Sequence, residues 1–380
     1  MSKTKAIRLG LVGFGSPHGK FNSGRGGGLF QQAVNSFDGI VPAAVCDISE
    51  PSLACARKIF PNIKTFTDYD KMLKSTALDA LLIGTPATLH AEFAVKALKN
   101  NVHVLSEIPA VLSAAEADKL WAAHKRSKAF YMAGANPNFW GFVDAAVDLK
   151  QKGLFGDPIY VEASYIHDIR SYFDRTPWRA DYEPIRYCTH SLGPVLRLLD
   201  EELEWVSCFD TGSHINKVKG QHDVMAALFR TKSNVVVRLL VSFINNYLGG
   251  GHACRFFTTK GCFERTPPYR TFRKEAVESQ RTLFYSRDLK MFNNWIELPI
   301  AEMPPAHAGN PKATGHGGVD YAMLAEFFKA VRAGGPSPIG LREGLRMTLP
   351  GIYAAASARR GGALTRIVYP WSGKAARTKR

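Results

Sequence analysis

Two groups of residues in this 380-residue sequence are spaced for chemistry. The first is Gly13-Phe14-Gly15, which directly follows a short apolar run, Ile7–Val12. Glycines there let the backbone approach a pyrophosphate, and the following helix N-terminus supplies free amides and a positive dipole end. Asp47 closes a second apolar run, Val41–Cys46. A carboxylate there accepts hydrogen bonds from ribose hydroxyls and repels a 2′-phosphate, which favours NAD over NADP. The second group is His190 with Tyr187, Tyr165 and His167. Histidine titrates near neutrality, at about 6.5, so His190 suits the role of proton acceptor. Tyrosine, at about 10, serves as a base only if a cation such as Arg179 or Arg186 lowers its pKa. Tyr187 lies three residues before His190, so a helix or tight turn points both at one pocket. Tyr165 and His167 alternate along Pro158–Ile166 and its end, on one strand face. The plainer alternative makes the tyrosines core rings with satisfied hydroxyls and His167 a strand brace.

The glycine signal is irregular. His18 stands where the third glycine of the usual fingerprint belongs. A glycine-rich insertion, Ser23-Gly24-Arg25-Gly26-Gly27-Gly28, precedes a helix expected to begin near Leu29. Asp47 consequently falls later than the usual spacing of about twenty residues.

These residues need elements to hold them. Apolar runs at Ile7–Val12, Val41–Cys46, Leu78–Ile83, Val102–Leu105 and Ala129–Met132 read as strands. Helical patterns lie between them: Leu89, Phe93 and Leu98 share a face, Asn100-Asn101 marks the stop, and Ser113-x-x-Glu116 is a capping box. Alternating strands and helices imply a parallel sheet with right-handed crossovers, and ligands bind such sheets at the strands' carboxyl ends. Beyond it, Pro158–Ile166, Val224–Arg230, Asn234–Ile244 and a hairpin around Thr259-Lys260-Gly261 read as strands with few helices between. The predicted fold is α/β: an N-terminal Rossmann doubly wound parallel sheet, then an α+β domain with an open, mostly antiparallel sheet. The expected boundaries are 1–133, 134–370 and a basic tail, 371–380. The helix Asp320–Arg332 carries Met323, Leu324, Phe327 and Val331 on one stripe, a core signature, and His316 on its glycine-rich lead-in either touches substrate or shapes the loop. Residues 265–311, rich in Arg, Pro and Asn, read as a long substrate or interface loop.

Composition removes several classes. The net charge is +16, yet the Lys and Arg are dispersed outside the short tail, and no nucleic-acid-binding pattern appears. An anionic cofactor or substrate is the expected partner, not a nucleic acid or a membrane. The most apolar stretch, Val235–Ile244, is interrupted by Arg238 and reads as a strand. The N-terminus runs into a strand without a signal-like apolar region, which points to the cytoplasm. Six cysteines lack any CxxC pair, so neither a disulfide frame nor a metal site is expected.

A resemblance sharpens this reading. Asp68-Tyr69-Asp70, Leu78–Pro86, His90, Ala97-Leu98 and His103–Pro109, then Gly153–Pro158 and His316–Asp320 through Ile367, closely resemble the Gfo/Idh/MocA oxidoreductases. The resemblance implies that Thr85, Pro86 and His90 line the nicotinamide side of the cofactor. It implies that Glu107 and Pro109 shape the loop beneath it, and that the chain forms a homodimer or homotetramer through a sheet face. Two departures matter. Ile108 replaces the lysine of the usual Glu-Lys-Pro, and Arg186 replaces the Asp of Asp-x-x-x-His, whose His matches His190. Tyr165-Ile166-His167-Asp168, Trp178-Arg179 and Tyr187–Pro194 resemble a branch of that superfamily, the NAD-dependent glycoside hydrolases of the α-N-acetylgalactosaminidase type. There Tyr165, His167, Tyr187 and His190 match active-site positions and Trp178 and Arg179 fall with the substrate-binding residues, whereas Ala135 stands where a glutamate is used. Three functions follow: a sugar, inositol or sugar-acid dehydrogenase, a glycosidase or lyase that oxidises its substrate transiently, or a non-catalytic cofactor sensor.

Overall fold

The computed structural model describes residues 5–15, 23–174, 176–270, 276–291 and 294–372. His18 and nearly all of the basic tail lie outside the described residues. The chain forms two compact units, one of 1–136 with 306–345 and one of 137–305 with 346–380. A single division at 133/134 therefore does not describe it, because the segment around 306–345 packs with the first unit.

The first unit holds a six-stranded parallel sheet. Its strands are β1 (Ile7–Val12), β2 (Ile40–Cys46), β3 (Lys64–Phe66), β4 (Ala80–Ile83), β5 (His103–Ser106) and β6 (Tyr131–Ala133). Their spatial order is β3-β2-β1-β4-β5-β6, the doubly wound arrangement. Winding reverses between β1 and β4, and the carboxyl ends there form the expected ligand crevice. Central strands covered on both faces need continuous apolar runs, and every residue of β4 is buried. Only β3 has no counterpart in the sequence reading; three residues with exposed Lys64 give no periodic signal.

Helices α1 (Arg25–Ser36), α2 (Glu50–Ile59), α3 (Tyr69–Ser75), α4 (His90–Lys99) and α5 (Ala114–Arg126) connect these strands. Ser49 caps α2, Asp68 caps α3 and Ser113 caps α5, each through its side-chain oxygen. The Glu116 carboxylate accepts from the Leu112 amide at 2.7 Å, one residue before the cap itself.

The second unit is built on a nine-stranded sheet. Its chain begins with α6 (Gly141–Gln151), β7 (Pro158–Ile166), α7 (Thr189–Leu198), β8 (Leu203–Asp210), β9 (Val224–Thr231) and β10 (Val236–Ser242). There follow β11 (Gly251–Thr258), β12 (Gly261–Arg265), β13 (Tyr269–Arg270), β14 (Ala276–Glu278), β15 (Thr282–Ser286) and β16 (Ile296–Leu298). After α8 (Val319–Ala333) and α9 (Leu341–Ala358), β17 (Thr365–Arg366) closes the sheet. The order is β16-β15-β12-β11-β7-β10-β9-β8-β17, with β7 and β10 parallel and the other neighbours antiparallel. Residues 265–311 are thus not one long loop: β15 and β16 extend the sheet. Alternation sends Val161, Ala163 and Tyr165 into the core and leaves Glu162 on the opposite face beside Arg238 and Arg255. In α8, which belongs to the first unit, Met323, Leu324 and Phe327 are fully buried. No helix among the described residues is long and apolar enough to cross a membrane.

Candidate active site

In the first unit, Gly13 and Gly15 have φ of +87° and +81°. A Cβ at Gly13 would lie 2.7 Å from the Thr85 nitrogen, and one at Gly15 would lie 2.7 Å from the Gly24 Cα. Both positions require glycine, for conformation and for space. The helix after them begins at Arg25, not near Leu29. Its glycines are therefore helical residues, and they seat the helix against the loop. Gly24 and Gly27 donate to the Phe14 carbonyl at 3.1 and 3.0 Å, while the Phe14 ring is fully buried. A Cβ on Gly26 would overlap the Gly13 carbonyl oxygen and lie 3.3 Å from the Gly84 Cα. Gly26 thus supplies the close helix–strand packing of the third fingerprint glycine, displaced along the chain by the insertion. No side chain caps α1 and no acid stands in its first turn, so its N-terminus suits an anion.

Asp47 sits at the carboxyl end of β2. One carboxylate oxygen accepts from the Gly15 amide at 3.0 Å and the other from the Ser49 amide at 2.9 Å. Each oxygen keeps a second lone pair for a ribose hydroxyl. At the end of β4, the Thr85 hydroxyl oxygen is buried and has no hydrogen-bond partner among the described residues, and Pro86 beside it is exposed. An orphaned buried hydroxyl, a backbone cradle and an uncapped helix together fit a dinucleotide.

His90 is no surface residue of α4. It is 2% exposed, with Nδ1 2.9 Å from the Pro109 carbonyl and Nε2 2.8 Å from the Thr85 carbonyl. Burial pushes its pKa down, and the two carbonyls oppose that only in part. The ring ties the Thr85 turn to the Ile108-Pro109 loop. Glu107 accepts from Arg25 Nε at 2.9 Å, and Asp320 takes the other edge of the guanidinium at 2.6 and 2.9 Å. Asp320, 2% exposed, also meets His316 Nδ1 at 2.8 Å and Asn136 Nδ2 at 3.0 Å. Burial opposes its charge, but His316 and Arg25 outweigh burial and hold the carboxyl well below the usual range. His316, at φ +45°, is therefore anchored to its own helix.

In the second unit, β7 presents Tyr165 with His167 just beyond its end, their rings stacked 5.0 Å apart. A 3-10 turn, Pro184–Tyr187, leads into α7 and turns Tyr187 toward His190, 4.8 Å between centroids. Tyr165 lies 5.4 Å from Tyr187 and 5.7 Å from His190. The four residues occupy one cluster. Burial raises the Tyr165 pKa well above its usual value, and the lowering by Arg179 is smaller. Tyr165 is therefore a phenol at neutral pH and a hydrogen-bond donor, which removes it as a base. The Arg179 guanidinium lies 5.6 Å from the Tyr187 centroid and 5.1 Å from that of Trp178. Arg186 turns instead to Tyr182 and Glu183. Sequence reasoning passed over His252 on β11. It stands opposite Tyr165 in the strand register, its ring 4.7 Å from Tyr165 and 5.4 Å from His190. Only the alternation beginning at Gly251 hints at its orientation, since cross-strand register is invisible in one strand.

Comparison with known proteins agrees with this fold. Residues 7–135 match the family model described as the GFO_IDH_MocA oxidoreductase family, NAD-binding Rossmann fold. A glycosyl hydrolase family 109 protein 1 of Bacteroides fragilis is 24% identical, over 88% of this chain and 78% of its own. An alpha-N-acetylgalactosaminidase of the same species is 28% identical, over 51% of this chain and 48% of its own. Among solved structures, a levoglucosan dehydrogenase in complex with NADH superposes with a TM-score of 0.76 at 16% identity, covering 96% of this chain and all 100% of that one. A myo-inositol 2-dehydrogenase from Lactobacillus plantarum gives 0.72 at 16% identity, with coverage of 96% and 100%.

Proposed function

We propose that this chain, whose residues 7–135 are a Gfo/Idh/MocA nucleotide-binding domain, is an NAD-dependent oxidoreductase acting on a secondary alcohol of a sugar, an inositol or a sugar derivative. The observation that carries the reading is the imidazole–phenol cluster of the second unit, with His190 in ring contact with Tyr187 and Tyr165. Loss of hydride from a carbinol carbon requires removal of the hydroxyl proton in the same transition state. His190 accepts that proton at a ring nitrogen. Tyr165, kept protonated by burial, donates a hydrogen bond to the oxygen as negative charge develops on it. Trp178 offers an apolar ring to the C–H face of a sugar, and Arg179 binds its hydroxyls. A bound nicotinamide supplies the hydride acceptor. Ile108, in the place of the usual lysine, supplies no proton, so the cluster bears that work alone.

Asp47 is followed by Ile48, which is 93% exposed, and by Ser49 and Glu50. No cation in that run meets a 2′-phosphate, which supports NAD over NADP. Six free cysteines support a reducing compartment such as the cytoplasm. The outer sheet face exposes Leu228 and Phe257 around the Glu162–Arg238–Arg255 ion pairs, a surface suited to a second copy in a homodimer or homotetramer.

The absent lysine and the relatives named glycosyl hydrolases favour a second reading, redox-assisted cleavage. Oxidising one ring carbon acidifies the neighbouring C–H; a base removes that proton, the protonated leaving group departs, water adds to the resulting enone, and the hydride is returned to the carbonyl. Ala135, where those enzymes use a glutamate, opposes it. The two readings separate when purified protein, with its retained dinucleotide identified, is given sugars and glycosides while nicotinamide absorbance and aglycone release are followed together. Stoichiometric NADH with an oxidised sugar supports the dehydrogenase. Aglycone release without net NADH supports cleavage and overturns it.

A further inference from the structure

The second unit holds a third imidazole among the candidate residues. His252 faces Tyr165 across the β7–β11 pair and meets four rings: Tyr165 and Trp140 at 4.7 Å, His190 at 5.4 Å and His167 at 6.1 Å. Trp140, the N-cap residue of α6, walls one side, and Tyr187 and Phe243 close the cluster beyond Tyr165. The backbone of His252 is fixed as well, because the Gln280 side chain donates to its carbonyl. This imidazole is held in place from several elements at once.

Two imidazoles at that spacing do not take up protons independently. For an effective dielectric constant of about 20 to 40, their repulsion separates the two protonation steps by roughly one to two pH units. The surrounding charge acts in the same direction. Arg179 lies over Tyr187, and Arg265, paired with Glu302 at 3.1 Å, lies 5.2 Å from the Trp140 centroid. From β7 come Tyr165, a neutral phenol, and His167, a third titratable ring; Asp168 beside it is engaged by Arg170 at 2.6 and 2.8 Å. Arg255, on the same strand as His252, pairs with Glu162 and Glu264. The second imidazole at 5.4 Å is what disfavours a doubly protonated pair, and Arg179 over Tyr187 adds to it.

We propose that His252 and His190 form a one-proton imidazole pair, in which His252 is a positioning residue that keeps one neutral proton acceptor available below the pH at which a lone histidine is charged. The pair rests on the proposed role of His190 only for its catalytic consequence; its existence is a property of the free protein. An oxidoreductase acting on alcohols needs the neutral form of its base, so the pair widens the acid side of its working range.

The test begins with side-chain NMR of the histidine rings of the full chain, titrated from about pH 4.5 to 8.5. The wild type is expected to show the two rings titrating in steps separated by about one to two pH units. H252Q and H190Q each leave one ring, and in H252Q the midpoint of the surviving His190 rises by that amount. Equal midpoints in the wild type, or an unchanged His190 midpoint in H252Q, overturn the proposal. The wild-type titration decides the matter even if a variant does not fold. Where turnover is measurable, H252Q moves the acid limb of kcat/KM upward by about the same amount with KM little changed, which a purely structural role does not do. Failure to find any substrate would count against the proposed function and leave the titration result standing.

Discussion

Replacing Gly26 by alanine places a methyl group against the carbonyl oxygen of Gly13 and within 3.3 Å of the Gly84 Cα. All of these are backbone atoms, so no side chain can rotate away, and α1 must lift from the loop by on the order of 1 Å. Overpacking of this kind costs about 1–3 kcal/mol. Alanine returns up to about 1 kcal/mol through its higher helix propensity. With the full propensity gain the net expectation is a loss of up to about 2 kcal/mol. Gly28, two residues on in the same helix, is exposed and has nothing within 4 Å of its virtual Cβ. Gly28→Ala therefore carries only the propensity gain, about 0.5–1 kcal/mol. Thermal unfolding of the two variants beside the wild type checks the opposite signs. Dinucleotide titration by intrinsic fluorescence adds a second reading: a lifted N-terminus weakens binding by roughly tenfold or more in Gly26→Ala and leaves it unchanged in Gly28→Ala. A Gly26→Ala protein of wild-type stability and affinity would refute the packing described for this turn.

Three further outcomes are expected. Asp320→Asn removes one of the two carboxylate charges that Arg25 meets; since Asp320 is buried and Arg25 about one-third exposed, chemical denaturation should show a loss of about 2–3 kcal/mol. The Asp320 carboxyl is held below its unfolded value, so its contribution is complete above about pH 4 and is lost as pH falls further; the acid limb of wild-type stability should be steeper than that of the variant. Asp47→Ala removes the acceptor for ribose hydroxyls, so NAD+ affinity should fall by roughly tenfold and discrimination against NADP+ should disappear in a binding titration. His190→Ala should abolish turnover while the dinucleotide stays bound, as read by absorbance of the purified protein; near-normal turnover would remove His190 from the mechanism.

The legibility of the sequence followed the range of the interactions involved. Gly13, Gly15 and Asp47 announce themselves because a strand, a turn and a strand end are adjacent in the chain. Tyr187 and His190, three residues apart, meet through a local turn, so spacing alone placed them together. Gly26 escaped because an insertion separates it from the glycines it packs against, and packing distance, not spacing, defines its role. The Arg25–Asp320 pair spans 295 residues, and no local pattern announces it; Asp320 also holds His316 through Nδ1. His252 reaches Tyr165 only through the register of two antiparallel strands. Residues 265–311 hid β15 because its inward positions, Thr282, Phe284 and Ser286, are mostly polar, and hid β16 because three residues at the sheet edge carry no alternating run.

The proposed reaction passes a hydride between a substrate carbon and the nicotinamide. It is tested most directly with a turned-over sugar deuterated at one ring carbon at a time, quenched within a single turnover, with the dinucleotide analysed by mass spectrometry. Deuterium is expected in the nicotinamide from one labelled carbon and from no other. A turned-over sugar that leaves the dinucleotide unlabelled from every position would contradict it.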